Sequence, residues 1–239
     1  DRTALGQFGE SAEDRAIRRK VQQLDRVALG EARKVFATSR NVADRLLRST
    51  GITAEVMPHP PQELAYRCDE YGDFVLSVGR LDRAKRVDLL LEALAVRPSL
   101  RCVIAGDGPD RGRLEELARR HDLDGRAVFA GRVSDDELTD LYARCLAVYY
   151  APVDEDFGFV PYEAFLAEKP VVTTTDAGGP LEVVRDHANG LVCEPAPAAL
   201  AEACWWLGEN RGSAQEWGQA GRRVAELLSW DRVVERLLS

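Results

Sequence analysis

The sequence is short of histidine, of paired cysteines, of positive charge and of long apolar runs. Its three histidines, His59, His121 and His187, stand far apart, and no C-x-x-C spacing accompanies them, which leaves a His/Cys metal cluster without support. The five cysteines, Cys68, Cys102, Cys145, Cys193 and Cys204, are odd in number and sit mostly in apolar surroundings. They read as buried free thiols of a reducing cytoplasm. The longest apolar stretches, such as LAVYYAPV at 146–153, fall well short of the roughly 20 residues that cross a bilayer. No charged-then-apolar signal segment opens the chain, so the expectation is a soluble protein whose membrane contact is at most peripheral, at the inner face. With 32 basic against 40 acidic residues and a net charge of −8, nucleic acid is not an expected partner, and any anion site must be local.

What is present is a regular alternation over most of the 239 residues. From Asp73 on, the β-rich runs DFVLSVG, RCVIAG, AVFAG, LAVYYA, PVVTT and GLVCEP each precede a helical pattern. The helices are expected at 87–95, 111–121, 135–144, 160–167, 180–184 and 198–207. Strand and helix repeated in this way imply a doubly wound, Rossmann-like parallel sheet of the α/β class. Ser134 with Glu137 gives the S-x-x-E box that starts one of these helices. Upstream lies one βαβ piece: an amphipathic helix with Ile17, Val21, Leu24 and Ala28 on one face, the strand KVFATS, a helix at 41–49 and the strand AEVM. The basic cluster Arg15, Arg18, Arg19 and Lys20 is interleaved with Asp14, Asp25 and Glu31 and reads as a solvated face. The HPP segment and the polar run to Gly72 read as a linker. The four tryptophans, Trp205, Trp206, Trp217 and Trp230, lie in helical patterns and read as packing residues.

In such sheets ligands bind at the carboxyl ends of the strands, where helix N-termini offer free N–H groups. The first strand-to-helix loop, SVGRLDRAKRVD, places Gly79, Arg80 and Lys85 at a helix entry. Two cations there suit a diphosphate, although an ion cluster with Asp82 and Asp88 accounts for them equally well. AGDGPDRG, with Gly106, Gly108 and Gly112, misses the dinucleotide spacing and reads as a tight turn. In the fourth loop, Glu155 and Glu163 form E-x7-E around Gly158. Two carboxylates can accept hydrogen bonds from sugar hydroxyls, and the Phe159 and Val160 amides can meet a phosphate. Taken alone, Glu163 reads as a solvated or helix-capping acid.

The segments SVGRL with Lys85, AGDGP, FAGRVSDDEL, EDFGFVPYEAFLAEKPVV and DAGGPLEVVRDHANGLV, in that order, resemble the C-terminal domain of the glycosyltransferase group 1 family, also called family four. The resemblance spans residues 55 to 208, and E-x7-E is its most specific element. It implies the C-terminal half of a GT-B enzyme: a retaining, metal-independent glycosyltransferase moving a hexose from a nucleotide-diphospho-sugar, without a cofactor, in polysaccharide or glycoconjugate synthesis. HPP and YGDFVLSVGRLDRAKRVDLL are similar to bacterial members acting on mannose-like or other sugars.

By that resemblance Arg80 and Lys85 hold the diphosphate and, with Glu155, form the catalytic set. Gly79, Gly106, Phe157, Gly158, Phe159 and Val160 complete the donor loops, Val133 sandwiches the base, and Glu163 holds the ribose hydroxyls. Gly178 and Gly179 resemble the paired glycines that close the next loop. Val153, Asp156, Phe159 and the run Ala167 to Lys169 depart from the family's usual residues, which blurs sugar preference. The resemblance further divides the chain into residues 1–60, the end of an acceptor-binding domain plus linker, 61–221, the donor domain, and 222–239, a helix crossing back. A truncated or proteolysed piece of a longer enzyme is expected, with the acceptor, a sugar or lipid-linked sugar, bound by the missing half and catalysis by this piece alone in doubt. A non-catalytic nucleotide-sugar-binding module and a nucleotide-sugar epimerase of the same fold are the alternatives.

Overall fold

A computed structural model describes Gly9 and residues 11–239; the parts of the expected 1–60 segment at 1–8 and 10 lie outside the described residues. The chain divides into two compact units, 1–58 and 59–239.

The first unit contains α1 (Ala12–Gly30), β1 (Phe36–Ala37), α2 (Arg40–Thr50) and β2 (Glu55–Val56). β1 and β2 pair in parallel, Phe36 opposite Glu55. The Ser39 side chain accepts from the Val42 amide to begin α2, and Gly51, in the left-handed region, ends it. The expected apolar stripe of α1 is there, yet no residue of this helix is buried: Ile17, Val21 and Leu24 remain exposed.

The second unit follows from the alternation read in the sequence. Its strands are β3 (Val75–Val78), β4 (Cys102–Ala105), β5 (Ala127–Gly131), β6 (Ala147–Tyr149), β7 (Val171–Thr174) and β8 (Gly190–Cys193). Its helices are α3 (Val87–Val96), α4 (Arg111–Arg120), α5 (Asp135–Arg144), α6 (Val160–Leu166), α7 (Pro197–Glu209), α8 (Arg211–Ala225) and α9 (Trp230–Leu238). All strands run parallel in the order β5-β4-β3-β6-β7-β8. Connections move outward in one direction from β3 and in the other from β6, so the crevice between β3 and β6 is the point where such a sheet accepts ligands.

Both sheet faces are covered. Val75 and Leu76, neighbours in β3, belong to opposite cores, as alternation along a strand demands. One core forms with α3, α4 and α7, the other with α5 and α6. The Ser134 and Glu137 side chains form the expected capping box at the start of α5. Cys102, Cys145 and Cys204 are buried, Cys68 and Cys193 half-buried, and all are free thiols. Trp206 and Trp217 stack at 5.2 Å with the His187 ring edge-on to both.

Two features differ from the sequence reading. The run to Gly72, read as a linker, is fastened to the sheet: the Tyr71 hydroxyl donates to the Glu168 carbonyl at 2.6 Å, and fully buried Lys169 donates to the Cys68 sulfur at 3.1 Å and to the Glu70 carbonyl. Residues 222–239 are not one helix. Arg222 lies inside α8, and a new helix begins after Ser229, whose side chain accepts from the Arg232 amide. No helix among the described residues is long and apolar enough to cross a membrane.

Candidate functional site

The crevice between β3 and β6 is built from two loops. After β3 the chain passes Gly79 and Arg80, and Asp82 starts a short 3-10 turn at Arg83–Lys85 by accepting from the Lys85 amide. That turn aims Lys85 across the crevice. Its ammonium forms an ion pair with Glu155 and donates to the Tyr150 hydroxyl at 3.2 Å. The Lys85 and Glu155 side chains are only 24% and 23% exposed, so the pair is less screened than one at the surface. Arg80 is placed differently: its side chain is 71% exposed and lies 3.8 Å from Asp82, at the rim. Gly79 donates to Ala105 and Gly106 to Gly131, at 3.0 and 2.7 Å, so the AGDGP turn buttresses the β3 loop from the side.

The second loop carries Glu155. Tyr150, 6% exposed, forms its floor, and burial, reinforced by the nearby Glu155 carboxylate, raises the tyrosine's pKa. Gly158 covers that ring with φ +82°, where an added Cβ would lie 2.7 Å from the Tyr150 ring; only glycine lets the chain pass there. The amides of Gly158, Phe159 and Val160 donate to no described residue and are available where α6 begins. Gly178 and Gly179 have a definite role. The Glu155 amide donates to Ala177 and the Gly179 amide to the Glu155 carbonyl, both at 2.8 Å, and a Cβ on Gly178 would lie 2.7 Å from Asp154. The loops after β6 and β7 are thereby zipped together at Glu155.

Glu163 falls in the first turn of α6, where its carboxylate accepts from the Tyr142 hydroxyl at 2.7 Å. Burial raises its pKa, and the Tyr142 hydrogen bond partly offsets this. Beside it the Tyr66 hydroxyl is buried without a hydrogen-bond partner among the described residues, its ring edge-on to Tyr142 at 5.7 Å. Val133 packs against the same core cluster, and Val160 belongs to it. Phe157 and Phe159 turn toward an aromatic group absent from the sequence reading: His59 stacks on Phe157 at 5.6 Å and on Trp230 at 5.5 Å, with Phe159 edge-on at 5.0 Å.

Lys85, Glu155 and Gly158 are therefore gathered around one tyrosine. Arg80 stands at the rim, and Glu163 lies apart from the ion pair. Three contributors escaped the sequence reading: Tyr150, Arg86, whose guanidinium bonds the Ala151 and Pro152 carbonyls, and His59; Trp230, read there as a packing residue, packs on His59. Tyr150 is hidden inside an apolar run, and Arg86 stands beside Lys85 in the charged run RLDRAKRVD. His59 and Trp230 are far apart in the sequence and meet only through the fold. Among the described residues no group of His, Cys, Asp and Glu side chains is arranged to hold a metal ion.

Residues 65–224 match the family described as Glycosyl transferases group 1. The alpha-1,3/1,6-mannosyltransferase ALG2 of Homo sapiens is 30% identical over 214 residues, covering 81% of this chain and 51% of the relative. The GDP-mannose-dependent alpha-mannosyltransferase of Mycobacterium tuberculosis is 34% identical over 163 residues, covering 67% and 40%. Among solved structures, Anabaena HepE in complex with UDP-glucose superposes with a TM-score of 0.79 at 23% identity, over 90% of this chain and 67% of that one. The chain spans about half the length of the curated relatives it matches. With two thirds of its length under the family match and a sheet of the GT-B type, the chain belongs to the group 1 glycosyltransferases.

Proposed function

We propose that this chain is the donor-binding half of a retaining, metal-independent glycosyltransferase that takes a sugar from a nucleotide diphosphate. The observation that carries the reading is the group of Lys85, Tyr150 and Glu155 at the crevice between β3 and β6, bordered by the amides of residues 158–160.

The chemistry follows from the groups. As the bond between the anomeric carbon and the diphosphate breaks, negative charge grows on the departing phosphate oxygens. Lys85, with Arg80 folding in from the rim, neutralises it at fixed positions, the task a metal ion performs elsewhere. The amides at the start of α6 add donors for the same charge. Glu155, freed from Lys85 as phosphate arrives, accepts hydrogen bonds from the sugar's hydroxyls. Glu163, in the first turn of α6, does the same for the ribose. The mannosyltransferase relatives support a mannose-like sugar, and a hexose acceptor or lipid-linked sugar in cytoplasmic glycoconjugate or polysaccharide synthesis fits that class. Acceptor binding and turnover are assigned to chain beyond these residues.

Calorimetric titration with UDP, GDP, UDP-glucose and GDP-mannose tests the donor site. One nucleotide sugar is expected to bind more tightly than its own diphosphate; heat from none of the four would refute the reading. Retention is tested with the full-length enzyme by NMR of the product's anomeric proton, an inverted anomer being the refuting outcome.

A further inference from the structure

Arg86 is a non-glycine residue at φ +51°, in the left-handed region that side chains rarely adopt without compensation. The compensation lies in its guanidinium, whose side chain is only 16% exposed. Nε donates to the Ala151 carbonyl at 2.8 Å. The two terminal nitrogens hold both oxygens of Asp176 at 2.8 Å, the Thr174 hydroxyl at 2.7 Å and the Pro152 carbonyl at 3.0 Å. The Arg86 carbonyl in turn accepts from the Tyr149 hydroxyl at 2.7 Å. One residue thus fastens the loop after β3 to the loop after β6, just ahead of Glu155, and to the loop after β7, just ahead of Gly178.

We infer that Arg86 is a positioning residue for the sugar-binding carboxylate, fixing Glu155 against Lys85 by clasping the three ligand-facing loops through Ala151, Pro152, Thr174 and Asp176. The inference rests on the donor-site reading and adds to it how the sugar half of that site is set. Glu155 is held on both sides. Upstream, Arg86 grips Ala151 and Pro152; across the zipper, the Glu155 amide bonds to Ala177, immediately after the aspartate that Arg86 holds. Only a planar fork with several donors reaches all these acceptors at once, so lysine cannot replace it. The diphosphate end has contacts of its own: the Lys85 amide donates to the Asp82 side chain, and the amides of 158–160 sit at the start of α6.

That division gives a readout which a merely structural role would not move. Three variants are compared with wild type by calorimetry with a nucleoside diphosphate and the matching nucleotide sugar, the preferred pair from the four-ligand panel, with folding followed by circular dichroism. Arg86→Gly removes the clasp while relieving the positive φ; Arg86→Lys keeps the charge without the fork; Asp176→Asn weakens one arm and leaves Arg86 intact. Nucleoside diphosphate affinity is expected to stay within about threefold of wild type, whereas nucleotide-sugar affinity falls by about tenfold in Arg86→Gly, the scale of one lost charge-assisted hydrogen bond. Arg86→Lys and Asp176→Asn should show smaller losses confined to the same ligand. If Arg86→Gly is unfolded, Asp176→Asn carries the comparison. Retention of the full nucleotide-sugar preference in the folded variants, or equal loss of both ligands, would overturn the inference. Wild type binding no nucleotide at all would overturn the donor-site reading beneath it.

Discussion

The Lys85 ammonium and the Glu155 carboxylate, from loops at the ends of two adjacent parallel strands, close on each other over the hydroxyl of Tyr150. Each charge has the other as a partner before any ligand arrives. On the proposed function, a diphosphate entering the crevice would take Lys85 from Glu155 and the released carboxylate would face the sugar, so that the two halves of a nucleotide sugar would be bound by exchange of one ion pair.

Glu155→Gln separates these roles. Without its counter-charge Lys85 is left for phosphate, so nucleoside diphosphate affinity should rise about threefold, the weight of a partly screened ion pair. The extra affinity for the sugar should disappear. Calorimetry with the diphosphate and its sugar derivative reads both, and a fall in diphosphate affinity would contradict the exchange.

With its proposed role, Glu163 should make stability and binding depend on pH in opposite directions. Its folded pKa is raised above the ordinary 4.5 by burial, so its contribution to stability is complete below that value and is lost as pH rises through the folded one. The thermal midpoint of wild type relative to Glu163→Gln should therefore fall as pH climbs through that window. If Glu163 holds the ribose as proposed, the hydroxyls need its carboxylate as acceptor, so the nucleotide affinity of wild type relative to the same variant should rise over that range. Parallel slopes would contradict the assignment.

Lys169 tests how firmly residues 68–71 hold the sheet. Its buried ammonium donates to the Cys68 sulfur and the Glu70 carbonyl and lies 4.1 Å from the centre of the Tyr71 ring. Lys169→Ala leaves a cavity and should cost about 2–4 kcal/mol in urea unfolding. Lys169→Met fills the space and removes the need to bury a charge, so its cost should be much smaller. Equal losses would place the stability in the hydrogen bonds rather than in packing.

The aromatic group around His59 fastens α9 to the loop that carries Phe157 and Phe159. Trp230→Ala should lower stability by about 1–3 kcal/mol, one or two aromatic contacts plus lost burial. Hydrogen exchange at 157–159 should speed up in parallel. Unchanged exchange there would show that the loop is held by other contacts.

The parallel sheet was legible because buried strands and amphipathic helices alternate with clear periods. The ends of α3, α4 and α5 fall within a residue of their expected positions, where charged and capping residues mark them. Lys85 and Glu155 were singled out by the resemblance, the local pattern alone leaving both open; that their side chains pair is a finding of the structure. Arg86 was not: nothing in KRV announces a left-handed backbone or a side chain reaching two other loops, contacts that exist only once β6 and β7 lie beside β3. Arg80 and Lys85 looked alike in the sequence, yet the turn begun by Asp82 sends one inward and leaves the other at the rim. The apolar stripe of α1 was visible, but a period shows that a face exists without showing what covers it.

The central claim, that cations of this chain hold a nucleotide sugar without a metal, is tested most directly by titrating wild type and Lys85→Ala with GDP-mannose and UDP-glucose in excess chelator. Wild type should bind one of them in chelator as tightly as in magnesium, and Lys85→Ala should lose about tenfold or more of that affinity. Binding that appears only with magnesium, or that survives unchanged in Lys85→Ala, would contradict it.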